Sequence, residues 1–136
     1  IYLQGHGSYI YRGTVKIDKD AYQFNSKIIN SNIVAVPNAT DNRAAVGFYK
    51  NGIQIEGFLS QFACINGDNI RRNDMPFPTN NMRATMLGGY IKYQPKNLGF
   101  NAQIGKCTNR LNMGKTTQIS IGVLFQFKAK NNSANN

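Results

Sequence analysis

His6 and Ser8 are the residues whose types and spacing come nearest to known catalytic chemistry. They are two residues apart, so both side chains point to the same face if this segment is a β-strand. A serine nucleophile needs a histidine that takes its proton, and the histidine needs a carboxylate that orients it. Asp20 or Glu56 would supply that carboxylate. The surrounding glycines are common strand residues, so we predict that the chain is not an enzyme and keep His6 and Ser8 as candidates for an alternative.

A mixed-charge cluster lies in the long segment between residues 66 and 81, which contains two prolines and no usable period. Its members are Asp68, Arg71, Arg72 and Asp74. Arginine binds phosphate or carboxylate through two parallel hydrogen bonds, which favours a binding loop, either exposed or folded inside the protein. The alternative is a solvated loop whose aspartates and arginines pair locally, since exposed pairs of this kind contribute little.

Side chains that bind metals are sparse. Cys64 and Cys107 are the only cysteines, His6 is the only histidine, and none of them lies in a CxxC motif or a Cys/His cluster. We therefore predict no metal site and no cofactor. We interpret the two cysteines as unpaired structural residues, although the sequence leaves a disulfide between them open.

The charge of the chain is strongly basic, with 16 lysines and arginines against 6 acidic residues and a formal net charge of +10. No acidic residue follows Asp74. Such a balance favours anionic partners, among them lipopolysaccharide and acidic solutes. The basic residues are dispersed singly and no aromatic–basic nucleic-acid motif is present, so we expect no nucleic-acid partner. Solvated charges on loops and rims are the simpler interpretation of most of them.

Alternation of apolar and polar residues predicts a chain of β-strands without helices. The predicted strands cover residues 1–11, 15–24, 27–36, 43–50, 53–65, 82–94, 98–106 and 116–127. Asn51-Gly52 is typical of a type I′ hairpin turn, and Pro95-Lys96-Asn97 predicts a second tight turn. The longer loops are predicted over residues 66–81 and 108–115, so tight and long connections alternate. No apolar run approaches the length of about 18 residues that indicates a transmembrane helix.

The last predicted strand, residues 116–127, has the clearest period of two. Its odd positions are Thr117, Ile119, Ile121, Val123, Phe125 and Phe127, and its even positions are mostly polar or small. Its length suits a tilted strand that crosses a bilayer, which needs roughly 9–11 residues. Within it, Ser120, Gly122, Phe125 and Phe127 resemble the C-terminal assembly signal of bacterial outer-membrane β-barrels.

The resemblance implies an all-β, antiparallel up-and-down transmembrane β-barrel of about eight strands, or the C-terminal strands of a larger barrel. We predict a barrel domain over residues 1–128, a disordered low-complexity tail over residues 129–136, and a location in the bacterial outer membrane. Such barrels have short periplasmic turns and long outer loops, which matches the predicted connections when the last strand ends in the periplasm. The implied partners are outer-membrane lipid or lipopolysaccharide, the barrel-assembly machinery and, as one option, other subunits of an envelope complex.

In a barrel of this kind the polar sides of the strands line the lumen. The lumen candidates are Glu56, Lys92, Asn101, Gln103 and Gln118, whereas Lys106 has the parity of the lipid side at the outer end of its strand. Aromatic residues near strand ends suit the girdles of a barrel; they are Tyr2, Tyr9, Tyr11, Tyr93, Phe125 and Phe127. We predict a porin-like channel or a surface-binding barrel with a bias toward anionic solutes or lipopolysaccharide.

Two alternatives remain open. A soluble secreted β-barrel or sandwich would turn the same apolar positions inward and bind a ligand or a partner, because inversion preserves the alternation. Small outer-membrane lipid A deacylases carry a His-x-Ser pair similar to His6 and Ser8, which implies a lipid hydrolase as the other alternative.

Overall fold

The computed structural model describes residues 1–70 and 76–127, and in these ranges the chain is all-β, as predicted. The strands are β1 (Tyr2–Ile10), β2 (Thr14–Lys16), β3 (Tyr22–Phe24), β4 (Lys27–Ile29), β5 (Ile33–Ala35), β6 (Ala39–Lys50), β7 (Ile53–Cys64), β8 (Arg83–Tyr93), β9 (Leu98–Leu111) and β10 (Thr117–Phe125). A short 3-10 turn, Phe77–Thr79, precedes β8.

Six long strands form one antiparallel sheet in the order β1-β6-β7-β8-β9-β10. Each of them pairs with the next long strand along the chain, which makes an up-and-down meander. Within the described residues β1 and β10 pair on one side only, so the sheet is open. The prediction of about eight strands that close into a barrel is therefore not met. Four of the ten strands have three residues each and stay outside the main sheet.

Residues 11–38 form an excursion between β1 and β6, where the sequence predicts two full strands. β2 pairs with β5 and β3 pairs with β4, so the excursion is a narrow hairpin with Asn25-Ser26 at its tip. Both tip residues have positive φ, 47° and 66°, as in a tight type I′ hairpin turn. The predicted strands 15–24 and 27–36 are wrong in length, because a bend over residues 18–20 interrupts the pairing.

Two long strands extend beyond their predicted ends. β6 begins at Ala39 rather than at residue 43, since its first residues pair with β1 on one side and β7 on the other. β9 continues past a bulge opposite Thr85 and Met86 to Leu111, so the predicted loop 108–115 shrinks to residues 112–116. Pairing with neighbouring strands outweighs the polar composition of these segments.

The connections between the long strands lie at two opposite ends of the sheet. At one end the turn at Gly52, whose φ of 80° suits a type I′ turn, meets the turn after β8: the Gln94 N–H donates to the Gly52 carbonyl at 2.7 Å. At the other end the Asn112 side chain donates to the Asn81 carbonyl at 2.9 Å and joins two longer connections. We call these the short-turn end and the long-loop end.

Residues paired directly across strands point to the same face, so the register assigns each side chain of the sheet to a face. One row of paired residues crosses all six strands and defines what we call the polar face: Tyr2, Gly47, Glu56, Tyr90, Gln103 and Ser120. The adjacent row defines what we call the apolar face: Leu3, Val46, Gly57, Gly89, Ile104 and Ile119.

The two faces have the opposite exposure from that of a sheet in a water-soluble protein. Large side chains of the apolar face are exposed on all six strands, including Leu3, Val46, Phe48, Ile55, Leu59, Leu87, Ile91, Phe100, Ile104, Ile119 and Ile121, the last of them 82% exposed. On the polar face Ala45, Glu56, Phe58 and Cys107 are buried, and Phe58 is 4% exposed. On the middle strands the side chains of the polar face are therefore shielded, whereas those of the apolar face are not.

Gly88 on β8 is a point of close packing on the polar face. A Cβ at Gly88 would collide with the Phe58 ring and the Ile104 carbonyl oxygen, whereas a Cβ at Gly89 would have its nearest neighbour 3.7 Å away on the other face. We expect Gly88→Ala to destabilise the fold by about 1–3 kcal/mol through overpacking. Gly89→Ala is the matched control and should change little in urea unfolding. Equal losses in both variants would contradict this packing.

Candidate functional site

Three polar side chains converge on Glu56 on the polar face. The Tyr2 hydroxyl and the Gln54 amide each donate to Glu56 Oε1 at 2.5 Å. Arg43 Nη2 donates to Glu56 Oε2 at 3.3 Å, and Gln54 also donates to the Tyr2 hydroxyl oxygen at 2.8 Å. We call Tyr2, Arg43, Gln54 and Glu56 the inner cluster. It satisfies both oxygens of a carboxylate that is only 6% exposed, as a buried charge requires.

Register and a missing side chain explain why the inner cluster forms. Tyr2, Gly47 and Glu56 are paired across neighbouring strands, and the Tyr2 ring occupies the space that a Cβ of Gly47 would need. The Arg43 guanidinium lies over the Phe58 ring, 4.2 Å from its centroid, and so approaches Glu56 along an aromatic surface. The inner cluster thus ties β1, β6 and β7 together on the polar face of the sheet.

A pocket of about 330 Å³ lies on the polar face between the inner cluster and the long-loop end. Its polar lining residues are His6, Asp41, Arg43, Ser60, Gln103 and Gln118, and its apolar ones are Phe58, Phe62, Ala84 and Met86. Two predicted lumen residues, Gln103 and Gln118, are therefore brought together here. A pocket that combines polar groups with aromatic and aliphatic side chains suits a small amphipathic solute.

His6 and Ser8 share the polar face, as their spacing predicts, but they do not form a nucleophile–base pair. The Ser8 hydroxyl donates to the Asp41 carbonyl at 3.3 Å, and no hydrogen bond joins it to His6 in the part of the chain that is described. Of the two candidate carboxylates, Glu56 is held in the inner cluster and Asp20 lies exposed in the excursion. The contacts that activate a serine are not assembled at this position.

The other two lumen candidates, Lys92 and Asn101, are paired across β8 and β9 on the polar face, nearer the short-turn end. Arg43 is absent from the predicted lumen set, although its parity with Ala45 assigns it to the same face. Tyr2 differs in the opposite way: it is predicted for an aromatic girdle and instead points to the polar face, because its hydroxyl donates to Glu56.

The most deeply buried polar residues lie at the long-loop end and not within the sheet. Asp68, Thr79 and Asn80 are each at most 2% exposed. The Asp68 carboxylate accepts the Asn25 N–H at 3.0 Å and the Asn69 N–H at 2.8 Å, so it ties the excursion to the connector between β7 and β8. We call residues 11–38, 65–70 and 76–82 the loop cap. The other members of the predicted binding cluster, Arg71, Arg72 and Asp74, lie outside the described residues.

Asp68→Asn is expected to open the loop cap. An amide nitrogen would replace an oxygen that accepts a backbone N–H, and a hydrogen bond to a charged group is lost. Trypsin should then cut the folded protein at Lys27 roughly tenfold faster than in the wild type. Asp18→Asn removes an exposed carboxylate of the same excursion and is the control. An unchanged cleavage rate would show that Asp68 does not hold the cap.

The residues of the predicted assembly signal all lie at the β10 edge of the sheet. Ser120 and Gly122 are on the polar face, opposite Gln103 and Asn101. Phe125 ends β10 on the apolar side, and its ring meets Phe127 edge-on with centroids 4.7 Å apart.

The two cysteines, Cys64 and Cys107, are buried and unpaired. Among the described residues, no three His, Cys, Asp or Glu side chains group as metal ligands. No helix in the described ranges is long and apolar enough to cross a membrane.

The sheet as a whole has a polar face that carries the inner cluster and a pocket and is shielded on its middle strands, and its other face is apolar and exposed. Such a sheet can hold water and polar solutes on one side and hydrocarbon on the other. No protein-family model, curated protein or solved structure matches this chain.

Proposed function

We propose that this chain forms part of the wall of an outer-membrane β-barrel, with its apolar face in lipid and its polar face toward a water-filled lumen. The observation that carries the proposal is the inverted exposure of the six-stranded sheet. Ile55, Ile91 and Ile121 stand exposed, whereas the charged Glu56 is shielded. Membrane barrels have an outward apolar band and a polar interior, and sheets of water-soluble proteins have the reverse.

The stagger of the apolar face suits tilted strands. On β7 the apolar stretch from Ile53 to Leu59 is roughly 20 Å long at about 3.3 Å per residue, so at a tilt of about 40° it spans roughly 15 Å of a lipid-facing band about 25 Å tall. One row of paired residues contains Leu59, Leu87 and Lys106. The apolar stretch therefore ends at this row on β7, but it ends two residues nearer the short-turn end on β9. Strands that tilt against the barrel axis need this stagger.

The open edges set a requirement on the assembly. Backbone groups at a sheet edge cannot face hydrocarbon unpaired, and small bacterial barrels have at least eight strands. We infer that β1 and β10 pair with further strands, either of a longer chain or of another copy. The two edge strands run in opposite directions, so an even number of added strands completes an antiparallel ring.

The charges that β8, β9 and β10 place on the polar face favour anionic solutes, and this supports a porin-like channel. β8, β9 and β10 contain no acidic residue, and Lys92 lies among amides such as Asn101. Arg43 is neutralised by Glu56, whereas Lys92 has no ion-pair partner in the described part of the chain. An uncompensated lysine beside a water-filled path attracts anions.

The location of the protein is the first test. We expect it in the outer-membrane fraction of its native host, as a band whose mobility in an SDS gel shifts on boiling. A soluble protein that is indifferent to detergent would refute the barrel. That outcome would favour a secreted β-protein whose apolar face is covered by a partner.

Channel activity is tested separately, from the reversal potential of the purified protein in planar bilayers under a salt gradient. We expect anion selectivity that Lys92→Glu reduces. Lys16→Glu makes the same change of charge in the excursion and should leave the selectivity nearly unchanged. A heat-shifting protein without conductance would rule out the channel and leave a surface-binding barrel.

A further inference from the structure

The polar side chains of the pocket on the polar face differ from those of the inner cluster in having no partners. In the inner cluster both oxygens of the Glu56 carboxylate accept hydrogen bonds. Among the described residues, by contrast, the side chains of His6, Asp41, Gln103 and Gln118 form no hydrogen bond or ion pair. All four line the pocket, so their polar atoms are open to a ligand.

Asp41 is the acidic residue of this pocket, and no cation neutralises it. Arg43 lies two residues away on the same face of β6, about 7 Å along the strand, and its guanidinium is paired with Glu56 instead. Arg12, whose guanidinium lies 5.6 Å from the centroid of the Phe62 ring, forms no ion pair with Asp41 in the described chain either. The Asp41 carboxylate is therefore available to a cationic group of a ligand.

Donors for an anionic group lie beside Asp41. A guanidinium has five N–H donors, and the ion pair with Glu56 involves the Nη2 atom of Arg43. Because the Arg43 side chain is 35% exposed and lines the pocket, part of its guanidinium remains for a ligand. His6 is paired directly with Arg43 across β1 and β6 and adds a second donor.

The apolar part of the pocket lies on the neighbouring strands. Asp41 is paired with Phe62 on β7, and Phe62 is paired with Ala84 on β8. Met86 follows Ala84 by two residues on the same face, and all four residues line the pocket. Charged groups thus lie on β6, and aromatic and aliphatic side chains lie on β7 and β8. The volume of about 330 Å³ is near the lower end of the range of roughly 300–1,000 Å³ for small-molecule sites.

We propose that this pocket binds a zwitterionic α-amino acid with an aromatic or large aliphatic side chain. The ammonium of the ligand pairs with Asp41, its carboxylate accepts hydrogen bonds from Arg43 and His6, and its side chain lies against Phe62 and Met86. An α-amino acid carries both charges on one carbon atom, which matches an acceptor and a donor two residues apart on one strand. This inference rests on the proposed function and deepens it, since a pocket on the lumen side of the wall selects the solute that the channel admits.

The acidic residue distinguishes the pocket from the region around Lys92. β8, β9 and β10 contain no acidic residue, whereas β6 contributes Asp41 to the pocket. A simple anion is attracted at Lys92 and repelled beside Asp41. A zwitterion offers a carboxylate to the first region and both of its charges to the second.

The test is equilibrium dialysis of the full chain in detergent micelles against labelled L-phenylalanine and three analogues that each lack one feature. The analogue 3-phenylpropionate lacks the ammonium, phenylalaninamide lacks the carboxylate, and glycine lacks the ring. We expect each analogue to bind at least roughly tenfold more weakly than L-phenylalanine, because a hydrogen bond to a charged group or the burial of apolar surface is lost.

Variants identify the residues that select the ligand. Asp41→Asn should weaken the binding of L-phenylalanine roughly tenfold and leave that of 3-phenylpropionate unchanged, so the preference for the ammonium disappears. Ala84→Leu fills the apolar side of the pocket and should weaken both ligands about tenfold. Asp18→Asn removes an exposed carboxylate of the excursion and should leave both affinities unchanged.

The analogue series uses the unaltered protein, so it decides the question even where a variant fails to fold. The inference is overturned by absence of L-phenylalanine binding, or by equally tight binding of 3-phenylpropionate, of phenylalaninamide or of glycine. The gel shift on boiling keeps it separate from the proposed function. A heat-shifting outer-membrane protein that ignores L-phenylalanine sinks the amino-acid site alone. A soluble protein that binds L-phenylalanine with the expected preferences sinks the barrel alone.

Discussion

Ile91→Arg is expected to lower the stability of the inserted protein by about 2–4 kcal/mol, the cost of an arginine at the midplane of a barrel's lipid face. Ile91 lies in the middle of the apolar face, paired with Ile55 on β7 and Ala102 on β9, and it is about half exposed. Such a loss is a large fraction of the roughly 5–15 kcal/mol that stabilises a typical fold. Urea titration of the protein in lipid vesicles, followed by the heat-shifted band, measures it.

The control for Ile91→Arg is Gln103→Arg, which places the same side chain on the adjacent strand but on the polar face. An arginine there reaches water and other polar groups, so we expect a change of less than about 1 kcal/mol. Equal losses of stability in both variants would mean that the two faces share one environment, which would contradict an apolar face in lipid and a polar face in water. If Ile91→Arg instead gives a more soluble protein without loss of stability, the apolar face is in water and the barrel is excluded.

Arg43→Met is also expected to destabilise the protein, because it leaves the Glu56 carboxylate shielded without a cation. Removing one partner of a fully buried ion pair costs about 3–5 kcal/mol. Here Arg43 is partly exposed and the hydrogen bonds from Tyr2 and Gln54 remain, so we expect a loss of about 1–3 kcal/mol. The free energy of unfolding in urea gives the value.

A second variant separates the ion pair from simple packing. Glu56→Gln added to Arg43→Met removes the stranded charge and keeps an oxygen that accepts from Tyr2, so it should restore most of the lost stability. The coupling between the two sites should then be about 0.5–3 kcal/mol. Strictly additive losses would mean that Arg43 acts through its contact with the Phe58 ring and not through Glu56.

The faces of the sheet follow from sequence because a strand has a period of two. Gln103, Gln118 and Lys92 can be assigned to one side without knowing which strands are neighbours, and the register agrees with that assignment. The turn at Asn51-Gly52 is equally local, since its positive φ values are a property of those two residues.

Features that depend on contacts between residues far apart in the chain cannot be predicted from the sequence alone. The burial of Asp68 depends on the Asn25 N–H, which lies far away in sequence on the excursion. The extension of β6 to Ala39 depends on partners in β1 and β7. Whether a meander closes into a barrel likewise depends on the strands available to pair with its two edges. The alternation of residues along one strand does not predict those partners.

The excursion between β1 and β6 has a consequence for the order in which the sheet forms. Closing a long flexible loop costs about 0.6 kcal/mol more for each doubling of its length, so β1 would pair late if residues 11–38 were unstructured. Instead, the two halves of the excursion are paired at several points between its tip and the sheet: Phe24↔Lys27 at the tip, Val15↔Val34 farther along, and Ile10↔Ala39 at the sheet. We infer that pairing begins at the Asn25-Ser26 turn and proceeds pair by pair toward the sheet. β1 then reaches β6 without the closure of one long flexible loop. Pulsed hydrogen exchange during refolding would then show protection in β3 and β4 before β1, and the reverse order would contradict it.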